Sequence, residues 1–165
     1  MDALRDRALA PEKIETPRLV LVQLPEETAR AVFAGDLSSL PHAAGWPHDD
    51  TLDGLRMTLA PDEPSRVWLV MLGTIVIGDC GTVGGVNPSG DVELGYGLAA
   101  EHRGFGYGTE VLTGLSRWLI EHPGVFRVVA REVLASNIPS RRALERVGFL
   151  LEREAEGRTW YALTP

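Results

Sequence analysis

Residues 91–110 read DVELGYGLAAEHRGFGYGTE, and Gly104, Gly106 and Gly108 stand close together directly behind Arg103. Glycines packed this densely ahead of a helix can offer several backbone N–H groups to an anion, with no Cβ to hold it away. The helix N-terminus adds a favourable dipole. The chemistry that suits this spacing is the binding of a phosphate group. The glycines do not follow G-x-G-x-x-G, and no G-K-[ST] ending is present, so neither a dinucleotide fingerprint nor a P-loop is formed. The competing reading is a turn whose glycines only let a helix pack tightly on a sheet.

The elements that would position this turn are legible on both sides. Val92, Leu94, Tyr96 and Leu98 alternate with Glu93, Gly95 and Gly97, which predicts a strand. Tyr107, Val111, Leu115, Trp118, Leu119 and His122 recur at helical spacing, which predicts an amphipathic helix. The unit is therefore strand, glycine-rich turn, helix.

The run Arg103, Gly104, Phe105, Gly106, Tyr107, Gly108 fits R-x-x-G-x-G and resembles the acyl-CoA pyrophosphate loop of the GNAT N-acetyltransferase superfamily. Its flanks, ELGYGLAAEHRGFGYGTE, resemble the core of the RimJ/RimL-like branch. So do the opening IETPRLVLVQL at residues 14–24 and the later ASNIPSRRALERVGF at residues 135–149. The likeness covers about residues 14–165, which reads as one acyltransferase domain, with residues 1–13 as a lead-in. It implies an α/β fold with a twisted, mixed but mostly antiparallel sheet of about seven strands and about four helices on both faces. It further implies acetyl-CoA as acyl donor, an amine or peptide acceptor, and dimers as a common state.

Bulk composition is ordinary for a soluble globular protein. The chain of 165 residues is long enough for one domain with a real core. A net charge of −7 argues against a nucleic-acid surface and suits a cationic acceptor. A lone cysteine, Cys80, leaves no internal disulfide and suits a reducing compartment, so a cytoplasmic location is expected. No apolar run is long enough to span a membrane, and no export signal is evident. No metal spacing joins the histidines to carboxylates.

In chain order, strands are predicted at residues 19–24, 66–72, 74–83, 91–98, 127–134, 150–156 and 158–163, and helices at 25–34, 49–60, 107–122 and 137–147. Residues 35–47 read as a loop. In the resembling family the segment between the first two helices walls the acceptor site, which nominates Trp46, His48 and His42. The alternatives are a Trp46 that packs as a lid and histidines that are merely solvated. Cys80 has no histidine partner nearby in sequence and reads as a small buried hydrophobe rather than a nucleophile.

The family's central strand and the next, here residues 91–98 and 127–134, part at one end and take the pantetheine arm between them. On that basis Leu98, Ala99 and Ala100 would supply backbone groups to the arm, residues 103–109 (Arg103 to Thr109) would hold the pyrophosphate, and Asn137 and Ser140 would touch the cofactor. An amine must lose a proton before attack, since a lysine titrates near ~10.4 and an α-amine near ~7.7–8. Glu93 is the base candidate, against a salt-bridged strand residue. Many relatives place a tyrosine seven residues after the asparagine that matches Asn137, but here that position is Leu144. The RimJ/RimL-like branch instead has a serine three residues after that asparagine, here Ser140, which the resemblance nominates to protonate the leaving thiolate, against a role in capping the helix or binding the cofactor. A non-catalytic acyl-CoA-binding module on the same scaffold is the alternative function.

Overall fold

The computed structural model describes residues 13–62 and 64–165. The lead-in expected at residues 1–13 lies outside them except for Lys13. Eight strands form one sheet: β1 (Lys13–Glu15), β2 (Val20–Gln23), β3 (Arg66–Leu72), β4 (Ile75–Val83), β5 (Asp91–Leu98), β6 (Arg127–Leu134), β7 (Leu150–Ala155) and β8 (Arg158–Leu163). Their order is β1-β2-β3-β4-β5-β6-β8-β7. The strand beyond the seven expected is β1, too short for its alternation to register in the sequence and fixed instead by pairing Ile14 with Leu21. Every neighbouring pair is antiparallel except β5 and β6, which run parallel.

Among the described residues four α-helices cover the sheet: α1 (Glu26–Phe33), α2 (Asp49–Thr58), α3 (Tyr107–Ile120) and α4 (Ile138–Val147). They divide by face, because alternate residues of one strand point to opposite sides. Trp68 and Val70 of β3, with Val92, Leu94 and Leu98 of β5, pack against Val111, Leu112 and Leu115 of α3 and Ala143 and Leu144 of α4. Val67 and Leu69 of β3 pack on the other face against Ala29 and Val32 of α1 and Leu55 of α2. Local chemistry sets the helix ends. Glu26 and Glu27 sit in the first turn of α1, Pro139 lies in the first turn of α4, and Gly148 closes α4 with φ of 109°.

α3 is tied to the chain's opening by charge. Glu110 accepts the Thr16 hydroxyl at 2.7 Å and the Arg18 backbone N–H at 2.5 Å, and the Arg18 Nε bonds its other oxygen at 2.9 Å. Burial pushes the Glu110 carboxyl up, but these hydrogen bonds outweigh it and hold the group below the ordinary glutamate range. A carboxylate depressed in the folded state contributes stability above its unfolded titration, and the contribution is lost as pH falls through the folded value. Glu110→Gln is therefore expected to cost roughly 1–3 kcal/mol near neutral pH. In denaturant melts the gap between parent and variant should close as the pH is taken into the acid range.

Candidate functional site

The central feature is a fork. β5 pairs with β6 only at Asp91↔Arg127, Val92↔Val128 and Glu93↔Val129, although both strands continue. The closed end is clamped by Arg127, which holds Asp91 through two bonds of 2.9 Å, and those bonds keep the Asp91 carboxyl below its ordinary range. Past Val129 the strands part. β6 follows β8 instead, through an irregularity between Ala130 and Val133 where Glu132 takes φ of 54°. Bulges of this kind bend and twist a strand away from its neighbour.

The open edge of β5 is defined by hydrogen-bond alternation. Ala99 donates its N–H to the Ile77 carbonyl at 2.8 Å. In an antiparallel ladder Gly97 and Gly95 then face β4 as well, and Tyr96 and Leu98 turn their backbone groups to the fork. The backbone groups of the expected trio Leu98, Ala99 and Ala100 have different surroundings. Ala99 is satisfied within the chain, since its carbonyl accepts from His102, and the Ala100 carbonyl accepts from Arg103. The Leu98 carbonyl accepts Arg103 Nε at 3.1 Å, so within β5 itself the Leu98 N–H and the Tyr96 backbone are turned to the fork. Sequence alternation alone does not say which strand neighbour each group faces, and so it passed over Tyr96.

The glycine turn sits beyond the fork's open end. Gly104 and Gly106 take φ of 85° and 82°, which favours glycine. Gly106 begins α3 with no side-chain cap, which leaves the first N–H groups of the helix without internal acceptors. Phe105 is exposed. Gly108 is different: a Cβ there would stand 3.0 Å from the Tyr96 ring, so its glycine serves close packing of α3 on β5. A residue missed in the sequence, Arg18, secures the turn from outside. Its Nη1 donates to the Phe105 carbonyl at 2.9 Å, and its guanidinium lies 4.5 Å from the centre of the Tyr107 ring. Arg18 and Glu110 are far apart in sequence, and no local pattern links them.

Across the fork, Asn137 caps α4 by accepting the Ser140 backbone N–H at 3.3 Å. The half-buried Ser140 makes no side-chain hydrogen bond among the described residues. Leu144 is buried in the core cluster with Ala143 and Phe149. On the opposite sheet face, Glu93 is half-buried, with Arg131 Nη1 at 3.9 Å. Burial pushes its carboxyl up, against the attraction of Arg131. Gly95 carries open space above it.

The same floor is bordered by a polar cluster at the start of α2. Asp79 of β4 accepts the Trp46 indole N–H at 2.9 Å and the Thr51 hydroxyl at 2.5 Å. Burial raises the Asp79 titration, while those two bonds and the nearby His48 oppose the rise. The ring of His48 stands over Gly97, 3.7 Å from where a Cβ would be. Trp46 is 3 % exposed and packs with α1, α2 and β3, as the lid reading expects, and its indole N–H bonds Asp79. His42 is exposed, and its Nδ1 lies 2.7 Å from the Leu40 carbonyl. Cys80 is buried, and burial pushes its thiol well up, which agrees with a packing role. Among the described residues no group of three or more His, Cys, Asp and Glu could hold a metal ion, and no helix could cross a membrane.

Residues 18–150 match the domain family described as Acetyltransferase (GNAT) domain. A Bacillus subtilis (strain 168) protein, the uncharacterized N-acetyltransferase YjdG, is 27% identical over 128 residues, which is 72% of this chain and 76% of that protein. The crystal structure of an acetyltransferase from Agrobacterium tumefaciens strain C58 is 25% identical, with a TM-score of 0.67 over 95% of this chain and 96% of that one. RimL, a ribosomal L7/L12 alpha-N-protein acetyltransferase solved with coenzyme A, shares the fold at a TM-score of 0.66 and 19% identity, over 93% of this chain and 98% of that one.

The glycine turn yields a test that separates charge from shape. Gly104 has open space at its Cβ position, and its φ is one that Asn and Asp tolerate better than other side chains. If the turn holds a pyrophosphate, Gly104→Asp should weaken acetyl-CoA binding about tenfold more than Gly104→Asn, a difference of ~1.4 kcal/mol in calorimetric titration. Equal affinities for the two variants would remove the anion from this turn.

Proposed function

The chain belongs to the GNAT acetyltransferase family, and we propose that it transfers the acetyl group of acetyl-CoA by direct attack to a primary amine, either a protein N-terminus or a small amine. The single observation that carries this reading is the fork. Its open β5 edge leads to an uncapped helix start at one end and to an open glycine floor on the acceptor face. The pantetheine arm would pair with Leu98 and Tyr96, and the pyrophosphate would meet residues 103–109. Asn137 and Ser140 would border the arm from α4.

Glu93 is the proposed proton acceptor. Its burial makes it a stronger base than an exposed glutamate, and Gly95 beside it leaves room for an amine or a bridging water. Ser140 is the proposed donor to the departing sulfur, directly or through water. A thiol titrates near ~8.5 and leaves tolerably well unprotonated, so a weak donor suffices. The surplus of negative charge and the carboxylates Glu93 and Asp79 along the acceptor face suit a cationic acceptor. A cytoplasmic setting and a dimer remain parts of this proposal that the acceptor site does not depend on.

Thiol release with acetyl-CoA against peptide amines, polyamines and aminoglycosides tests the reading, and no turnover with any amine despite tight acetyl-CoA binding would favour a binding module. Glu93→Gln is expected to lower turnover roughly 10²–10⁴-fold with cofactor affinity intact. Its deficit should shrink as pH approaches the amine's own titration. The parent rate should fall as pH drops through a value above the ordinary glutamate ~4.3, because only the ionised carboxylate accepts a proton. Ser140→Ala is expected to cost about 3- to 100-fold, at or below the low end for general-acid effects. Leu144→Tyr should overpack the core, losing ~1–3 kcal/mol in thermal melts without a gain in rate.

A further inference from the structure

Two arginines of β6 reach the carboxylates of β5, and they are not equally engaged. Arg127 holds Asp91 through two bonds of 2.9 Å and also pairs with Glu152. The nearest anionic atoms to Arg131 are Asp91 Oδ2 at 3.7 Å and Glu93 Oε2 at 3.9 Å, and its side chain makes no hydrogen bond among the described residues. Glu93 makes none either. A carboxylate and a guanidinium therefore stand side by side, each with hydrogen-bonding capacity unused.

The backbone aims both at the same space. Val128 and Ala130 belong to the core that α3 and α4 cover, so Arg131, one residue on, lies on the face that carries Glu93 and Gly95. It sits in the irregularity between Ala130 and Val133, and bulges of this kind re-aim a side chain. Gly95 has open space above it. The other carboxylate bordering this floor, Asp79, is already bonded to Trp46 and Thr51. The glycine turn lies at the far end of β5: Leu98, where the strand ends, is roughly 17 Å from Glu93 by strand rise, and the turn is beyond it. An anion bound at that turn is out of reach of Arg131.

We propose that Arg131 binds a carboxylate of the acceptor, and that the acceptor is a free α-amino acid. This rests on the transfer reading above and narrows its acceptor. An α-amino acid carries its ammonium and its carboxylate on one carbon. Laid across the pair, the ammonium meets Glu93 and the carboxylate meets Arg131, so unlike charges alternate around the four groups. The planar guanidinium suits a carboxylate bidentately. A peptide N-terminus has a neutral amide at that place, and a polyamine or aminoglycoside would bring a further cation toward Arg131. In the step itself the amine nitrogen attacks the acetyl carbon, one C–N bond forms and one C–S bond breaks. The ammonium nitrogen gives up two protons. Glu93 takes one and passes it to solvent, and the other ends on the sulfur, which leaves with the bonding pair. The product is an N-acetyl amino acid.

Thiol release from acetyl-CoA with each standard L-amino acid tests this, the best of them being compared with its carboxamide, which keeps side chain and amine but lacks the anion. Amine chemistry alone favours the amide, because the carboxylate that helps hold the ammonium proton is gone. A preference for the acid therefore comes from the protein. Parental kcat/KM for the acid should exceed that for the amide about 10- to 10²-fold, the scale of a charged hydrogen bond. Arg131 is 42% exposed at its side chain, so Arg131→Gln should keep the parental melting temperature while losing most of that ratio. Arg131→Lys, with the charge but not the planar fork, should keep part of it. A parental ratio of one or below would overturn the proposal, and so would turnover of peptides or polyamines but of no free amino acid. Equal loss for acid and amide in Arg131→Gln would also overturn it, as the mark of a residue that only positions Glu93. A ratio of one together with a preference for succinyl-CoA over acetyl-CoA would move the carboxylate to the acyl group. No thiol release with any amine would instead remove the transfer reading, and this proposal with it.

Discussion

The structure depends on a parallel pairing that stops early. β5 and β6 share only the registers from Asp91 to Glu93, and their separation is what leaves strand backbone unpaired in the middle of a sheet. Unpaired backbone groups in such a place are costly unless something bonds them. A ligand that supplies amide groups of its own meets that need, as an added strand would. The opening is held from both ends. Arg127 clamps Asp91 at the closed end, and the irregularity near Glu132 turns β6 toward β8 at the open end.

The remaining parts follow from where the fork opens. Gly108 lets α3 approach Tyr96 closely enough to bring the start of the helix to the mouth of the fork. Arg18 and Glu110 then fix that start against the chain's opening segment. α4 borders the other side with its Asn137 cap. On the acceptor face Gly95 is uncovered, and the head of α2 carries His48 over Gly97.

Much of this was legible from residue order because it is local. The alternation of Val92, Leu94, Tyr96 and Leu98, the turn of Arg103 to Gly108, and the Asn137, Pro139 and Gly148 signals act within a few residues, and the structure carries each as read. What escaped involves distant partners. Asp79 stands in a run that reads as an ordinary buried strand around Cys80, and its meaning appears only when Trp46 and Thr51 fold over it. Arg18 meets Glu110 across most of the chain. Which β5 groups face the fork was not legible, because ladder phase is set by β4, through the Ile77 carbonyl that takes the Ala99 N–H, rather than by β5 itself. Trp46 was nominated by its place in the wall segment, yet its large apolar ring is worth more in the core than against solvent.

The central claim is that the open edge of β5 receives the donor's arm, and amide hydrogen exchange resolved by residue tests it most directly. Added acetyl-CoA should slow exchange at Leu98 and Tyr96 and at the first amides of α3. Ala99 and its neighbours facing β4, Gly97 and Gly95, should change little, because they are bonded already. Protection confined to the helix start, with Leu98 and Tyr96 exchanging as before, would contradict the account.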